Sequence, residues 1–412
     1  MPNRDLTPST PAQAGLSSAG LEAIDAWLQG LVDKGVAAGY VTLAARHGRV
    51  AHVSTIGKKD IASGEPMAPD TMFRIFSMTK PVTAVAMMIL HDQGLWSPDD
   101  PIEKHLPAFA GAKVFGGMGD DGKPILTPAE HPPTLRELLT HTAGLTYGRE
   151  PMGGLEKLYE AADVWRSADL AEMGAKLGKL PLAYQPGTKW VYSLAMDVQG
   201  AIIEELSGQT LPTFMQEKIF GPLGMVDTGF HTPPEKKARL ATLYRTSKSR
   251  GLVAMEANPL LRDYDQPPAL ASGGGGLVST AGDYARFAQM LANGGEFAGK
   301  RIISQAAVKQ MMTNQLSDEM LEARFGVGLQ QIRPGFGFGY NGVVFTDPEK
   351  AGVPAGLGTY HWDGAAGTWF WVDPTNDLIF VGMVQLLSET APACQAKTQT
   401  LMADAILQEV HS

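Results

Sequence analysis

The sequence predicts an α+β fold: an antiparallel sheet flanked by N- and C-terminal helices, with a large, mainly helical domain inserted into it. Three observations predict this. Strand-like runs cluster towards both ends of the chain, helical periodicities fill the middle, and a helical pattern both opens and closes the sequence. At 412 residues, 44% hydrophobic and 19% charged, the chain has a globular composition that excludes a disordered or fibrous protein.

The elements follow in order. Ser17 or Ser18 is placed to cap a first helix, whose Leu21, Ile24, Leu28 and Leu31 share one face and which Gly35 ends. Tyr40–Arg46 and Val50–Ile56 read as strands joined at His47-Gly48, a hairpin signal. The apolar run Val82–Gln93 predicts a buried helix stopped by Gly94. Beyond Trp96, strand signals become sparse, and helices are expected over Thr134–Thr140, Leu155–Leu177, Leu194–Leu206 and Leu211–Ile219, punctuated by proline and glycine. The glycine run Gly273–Gly276 precedes a helix over Asp283–Leu291 with Ser279 or Thr280 as its cap. Strands are expected again at Phe325–Gln331, Phe336–Tyr340, Gly339–Phe345, Thr368–Val372 and Leu378–Gln385. Ala391–Val410 closes the chain as a helix, with Thr390 as its cap and Pro392 in its first turn. Residues 1–95 together with 285–412 thus form a sheet domain, and residues 96–284 a mainly helical one.

Composition also narrows the function. Thirty-four basic against 43 acidic residues give a net charge of −9, and no basic cluster exceeds a Lys-Lys pair, so nucleic acid is not an expected partner. Cys394 is the sole cysteine, which excludes an intrachain disulfide and a CxxC metal site. No run approaches the ~20 apolar residues of a membrane span. The polar, proline-rich start lacks the apolar core of a signal peptide, so the expectation is a cytoplasmic protein without a membrane partner. No serine sits in G-x-S-x-G, the turn of the common α/β hydrolases, and the nine histidines include no H-E-x-x-H. No metal and no cofactor are expected.

Chemistry is expected instead at Ser77-Met78-Thr79-Lys80. Positions i and i+3 share a helix face, so the Lys80 ammonium can reach the Ser77 hydroxyl. A serine needs such a base beside it to become a nucleophile. The start of the helix adds unpaired backbone N–H groups that can face a developing oxyanion. A second segment, Pro186 to Leu194, turns at Pro-Gly and delivers Tyr192. A third, His361-Trp362-Asp363-Gly364-Ala365-Ala366-Gly367-Thr368, lies between strand candidates, and its small residues permit close approach to the backbone.

Taken together these segments resemble the serine beta-lactamase-like superfamily, which includes class C beta-lactamases and penicillin-binding proteins, and within it the family VIII carboxylesterases. The likeness runs from about Phe73 to Gln385 and is supported by Leu138 to Leu145, Phe220 to Met225 and Gly275 to Asp283. The resemblance implies a beta-lactamase/transpeptidase-like fold with the active site in the cleft between the two domains. It implies Ser77 as the acylated nucleophile, Lys80 as its lysine, and Tyr192 as the tyrosine of the Y-x-N motif. Trp362-Asp363-Gly364 takes the place of the K-T-G motif, as in the W-x-G of family VIII esterases. The N–H groups of Ser77 and Ala365 are then the oxyanion hole, with Trp362 and Gly364 bordering the substrate.

Two departures carry information. Trp362 cannot offer the K-T-G lysine's charge to a beta-lactam carboxylate, and Leu194 replaces the asparagine of Y-x-N. A lost charge-assisted hydrogen bond is worth about 1.5–3 kcal/mol. Both changes favour neutral, more apolar acyl groups. The implied function is a serine carboxylesterase acting on small to medium neutral esters, with weak cephalosporin hydrolysis at most. Whether Lys80 or Tyr192 is the base stays open, because coupled groups titrate as a pair. Asp197 fits two readings, a carboxylate orienting the Tyr192 segment or one that favours a helix N-terminus. Tyr147 fits either the acyl pocket or the core, and His361 is expected at the pocket edge. The alternatives are a beta-lactamase, D-aminopeptidase or acyltransferase of the same fold, or a non-catalytic penicillin-binding-like protein. The natural ester and the oligomeric state are not implied.

Overall fold

His47 and Gly48 carry positive φ angles of 55° and 71°, the conformation a tight two-residue hairpin demands. They join strands β2 (Gly39–Arg46) and β3 (Arg49–Gly57), which pair antiparallel with Arg46 opposite Arg49. A computed structural model of the chain describes residues 4–149, 151–247, 249–255, 264–322, 326–327, 330–331, 333–388 and 391–407. In it the hairpin belongs to an eight-stranded sheet whose strands lie in the order 7–8, β3, β2, 378–383, 369–373, 360–363, 343–345 and 336–338. The short β1 (Thr7–Pro8) runs parallel to β3, and every other pairing is antiparallel. The remaining strands come from the C-terminal part: β4 (Phe336–Phe338), β5 (Val343–Phe345), β6 (Tyr360–Asp363), β7 (Trp369–Asp373) and β8 (Leu378–Met383). Both ends of the chain therefore build one sheet, as expected.

Strand alternation sorts the side chains between two cores. Trp369, Trp371, Leu378 and Phe380 face one side, where helices α1 (Ser18–Asp33) and α5 (Cys394–Ala405) cover them. Ser17 caps α1 by accepting from the Gly20 N–H at 3.3 Å, and Leu21, Ile24 and Leu28 are its buried stripe. A Cβ on Gly20 would sit 2.5 Å from that of Ala405, so the glycine lets the two terminal helices touch. Leu16 bridges to Ile406 beside them. Phe370, Val372, Ile379 and Val381 face the other side, in the larger core shared with α2 (Thr79–Asp92) and α4 (Ala281–Ala292). The helix α3 (Ala195–Ser207) lies against α2 in that core.

Several elements differ from expectation. Gly339–Phe345 is not one strand: the chain turns through 339–342, with Asn341 in the left-handed region, and only Val343–Phe345 is extended. Leu155–Leu177 is broken at Asp163, which has a φ of 46°, and restarts where the Asp169 carboxylate caps Leu170–Gly178. The middle also contains two hairpins, Lys113–Met118 with Pro124–Pro128 and Tyr244–Ser247 with Gly251–Ala254. The strand expected over 325–331 falls partly outside the described residues; those described form a short antiparallel pair, Gly326–Val327 with Gln330–Gln331. The closing helix starts at Cys394, and both Thr390 and residues 408–410 lie outside the described residues. No helix among the described residues is long and apolar enough to cross a membrane.

Candidate active site

The segment before Ser77 is pinned from two sides. Phe73–Arg74 pairs with Val278–Ser279, and the Ile75 N–H donates to the Leu277 carbonyl at 3.0 Å. The chain then passes through Phe76 at a φ of 42°. A bulky residue in the left-handed region costs roughly 1–3 kcal/mol, so the surrounding contacts must hold it there. Phe76–Met78 forms one tight turn that runs into α2. Ser77 sits at its centre, with a backbone N–H that has no intrahelical carbonyl to bond.

Lys80 follows on the same face. Its Nζ donates to Ser77 Oγ at 3.0 Å and to the Gly274 carbonyl at 2.6 Å, and the residue is fully buried. The glycine run explains how that carbonyl comes so near. A Cβ on Gly273 would lie 2.5 Å from the Met196 carbonyl, so only glycine lets this loop pack on α3. Tyr192, on the stretch leading into α3, donates its hydroxyl to Ser77 Oγ at 2.8 Å. Lys80 Nζ stands 4.7 Å from the centre of the Tyr192 ring. The structure thus gathers Ser77, Lys80 and Tyr192 around one oxygen. A proton can pass between the serine and either partner along an existing hydrogen bond.

The strand end after β6 closes the other side. A Cβ on Gly364 would fall 2.4 Å from the Ile75 carbonyl and 2.3 Å from Thr368 Oγ1. Gly364 therefore allows the turn carrying Ala365 to lie against the residues leading to Ser77. Ala365 itself is exposed. Trp362 is buried, with its ring 5.8 Å from Tyr192 and 5.6 Å from Phe338. Tyr147 extends this wall. Its ring lies 5.2 Å from that of Tyr192 and stacks on Trp165 at 6.3 Å, with the Arg149 guanidinium over both stacked rings. Burial holds the Tyr147 phenol well above the ordinary tyrosine range, so it stays protonated.

Three expected site residues sit elsewhere or act differently. His361 is on the opposite face of β6 from Trp362, because neighbouring strand residues point to opposite sides. It packs on Phe336 and Phe345 and bonds Gln395 of α5, so it does not border the Ser77 cluster. Burial pushes its imidazole down to about 3. Leu194 is fully buried in the core and presents no surface. Asp197, in the first turn of α3, accepts from Ser272 Oγ at 2.6 Å and from the Gly274 N–H at 3.4 Å. It thus anchors the glycine loop that holds Lys80, and the segment it orients is not that of Tyr192. Burial raises its carboxyl above the usual range, against the bond from Ser272 and the charge of Lys80.

One further residue stands at the site. His141 brackets Tyr192: its carbonyl accepts from the Val191 N–H at 2.8 Å, and its Nδ1 is 3.0 Å from Ser193 Oγ. Burial and the charge of Lys80 hold its imidazole well below the ordinary value, so it is neutral. The sequence marks it only by its position within Leu138–Leu145, a segment that carries the resemblance.

Comparison with known proteins decides the family, since residues 24–405 match the beta-lactamase family model. The chain belongs to the beta-lactamase family. Within reach of this family, the chain is 38% identical to Protein Rv1367c of Mycobacterium tuberculosis, covering 89% of this chain and 90% of that one. It is 32% identical to Esterase EstB of Burkholderia gladioli, covering 86% of each. The solved structure of EstCE1, described as a hydrolase with promiscuous acyltransferase activity, superposes with a TM-score of 0.75 at 27% identity. That match spans 95% of this chain and 99% of EstCE1. The antiparallel-dominated sheet with helices on both faces is thus the beta-lactamase/transpeptidase-like fold.

Proposed function

We propose that this protein is a serine carboxylesterase of the family VIII kind, hydrolysing small to medium neutral esters through an acyl-Ser77 intermediate. The observation that carries this reading is the convergence of Lys80 Nζ and the Tyr192 hydroxyl on Ser77 Oγ. The names of EstB and EstCE1 support it. Trp362 and the rings of Tyr147 and Tyr192 support a neutral, apolar acyl group, since no lysine stands at the Trp362 position.

The reaction runs in two steps. Ser77 Oγ forms a bond to the ester carbonyl carbon while its proton passes to the Lys80–Tyr192 pair. The carbonyl oxygen, now an oxyanion, is held by the N–H groups of Ser77 and Ala365; losing one such donor typically costs about 10²–10³ in rate. The carbon–oxygen bond to the alcohol breaks, and the pair returns the proton to the departing alkoxide through Tyr192. Water then gives a proton to the same pair and attacks the acyl carbon. Ser77 regains a proton and the carboxylic acid leaves. The cleft in which this happens lies between the sheet part, 1–95 with 285–412, and the mainly helical 96–284.

The test compares turnover of a short-chain nitrophenyl ester with that of a chromogenic cephalosporin. The ester is expected to be the better substrate by at least roughly one to two decades, the worth of the missing lysine bond. Ser77→Ala should abolish ester turnover, and an alkyl phosphonate ester should label Ser77 in intact-mass and peptide spectra. Ester turnover that survives in Ser77→Ala, or a phosphonate that leaves Ser77 unlabelled, overturns the reading. An added acceptor alcohol in the same assay measures acyl transfer against hydrolysis.

A further inference from the structure

Two buried amides, on elements far apart in the chain, meet directly behind Lys80. Asn341 stands in the turn between β4 and β5 and Gln199 on α3, and both are fully buried. They form a reciprocal pair: Asn341 Nδ2 donates to Gln199 Oε1 at 2.7 Å, and Gln199 Nε2 donates to Asn341 Oδ1 at 3.1 Å. The second proton of each amide goes to a backbone carbonyl. Asn341 Nδ2 also donates to the carbonyl of Lys80 at 3.0 Å, and Gln199 Nε2 to that of Leu138 at 3.2 Å. The Asn341 N–H adds a bond to the Leu139 carbonyl at 2.9 Å.

This network has a direction. Leu138 and Leu139 lead within three residues to His141, whose carbonyl and ring hold Val191 and Ser193 on either side of Tyr192. The amides therefore join the backbone of Lys80 to the segment that locates the Tyr192 phenol. All four amide protons have acceptors, and a fully satisfied buried network is stiff. The conformation of Asn341 fits the same purpose: at a φ of 56° glycine would be the easiest residue, yet glycine has no side chain to donate to the Lys80 carbonyl. We infer that Asn341 and Gln199 are positioning residues that set the spacing between Lys80 and Tyr192, and so keep both proton-exchanging groups on Ser77 at once. The inference rests on the esterase reading above.

Two variants test it. Asn341→Gly keeps the backbone conformation and removes one amide, and Gln199→Met keeps the volume and removes the other. Each should lower kcat on a nitrophenyl ester by about 10²-fold with KM unchanged, the scale expected when reacting groups are misplaced by about 1 Å. Each should slow phosphonate labelling of Ser77 by a similar factor. The double variant should be no slower than the slower single one, because either change opens the same clamp. Wild-type labelling rates in a folded variant overturn the inference, as do losses that multiply in the double variant. If Asn341→Gly fails to fold, Gln199→Met decides alone by the same readouts. A wild-type protein that phosphonate does not label fails the esterase reading instead, so the two failures are distinct.

Discussion

The phenol of Tyr192 donates to Ser77 Oγ across 2.8 Å, although 115 residues separate the two in the chain. The ring that carries this hydroxyl is wedged among His141, Tyr147, Trp190 and Trp362. Its position is therefore set by packing, and the hydroxyl is the part free to do chemistry. Tyr192→Phe separates the two contributions. It should lower kcat by about 10²–10⁴-fold, the usual span for losing an acid–base partner. Unfolding free energy should stay within about 1 kcal/mol of the wild type, since the ring contacts remain. Steady-state kinetics with denaturant unfolding check both, and an unchanged kcat would remove Tyr192 from the proposed mechanism.

Gly364 makes a steric prediction. Its hydrogen atom points at the Ile75 carbonyl and the Thr368 hydroxyl, at distances that exclude a methyl group. Gly364→Ala should push the Ala365 turn away from Ser77. Overpacking of this kind typically costs about 1–3 kcal/mol of stability, and kcat should fall together with it. Stability and kcat both at wild-type levels would mean that the turn does not need this close approach.

His361 predicts an acid sensitivity that has nothing to do with catalysis. Its pKa, lowered by burial to about 3, lies below that of the unfolded chain, so the unfolded state binds the extra proton first. The stability this neutral imidazole contributes is complete above an unfolded pKa near ~6.5 and is lost as pH falls towards the folded value. By pH ~4.5 the loss should reach about 2–3 kcal/mol. His361→Phe, which joins the rings of Phe336 and Phe345, should flatten that part of the stability profile. Parallel profiles for the two proteins between pH ~7 and ~4.5, measured by denaturant unfolding, would contradict the assignment.

What could be read from the sequence was mostly local. The reach of Lys80 to Ser77 follows from helical spacing, and the hairpins around His47-Gly48 and Asp373–Asp377 follow from turn chemistry. The anchor of Lys80 was harder to foresee, because the acceptor is the carbonyl of Gly274, and a carbonyl carries no residue identity. Asn341 and Gln199 are hidden for a related reason: they are 142 residues apart, one inside an expected strand and the other inside an expected helix, and nothing local pairs them. The placement of His361 is different. Strand alternation opposes it to Trp362, so the two side chains cannot border the same surface. Asp197 is legible as a carboxylate in the first turn of a helix, but its pairing with Ser272 and Gly274 depends on how the glycine run folds back.

The terminal helices have a practical consequence. α1 and α5 lie together on the sheet face turned away from Ser77, and Leu16 is bridged to Ile406. A solid support coupled through side chains on α1 or α5 holds the molecule by this face and leaves the Ser77 side free.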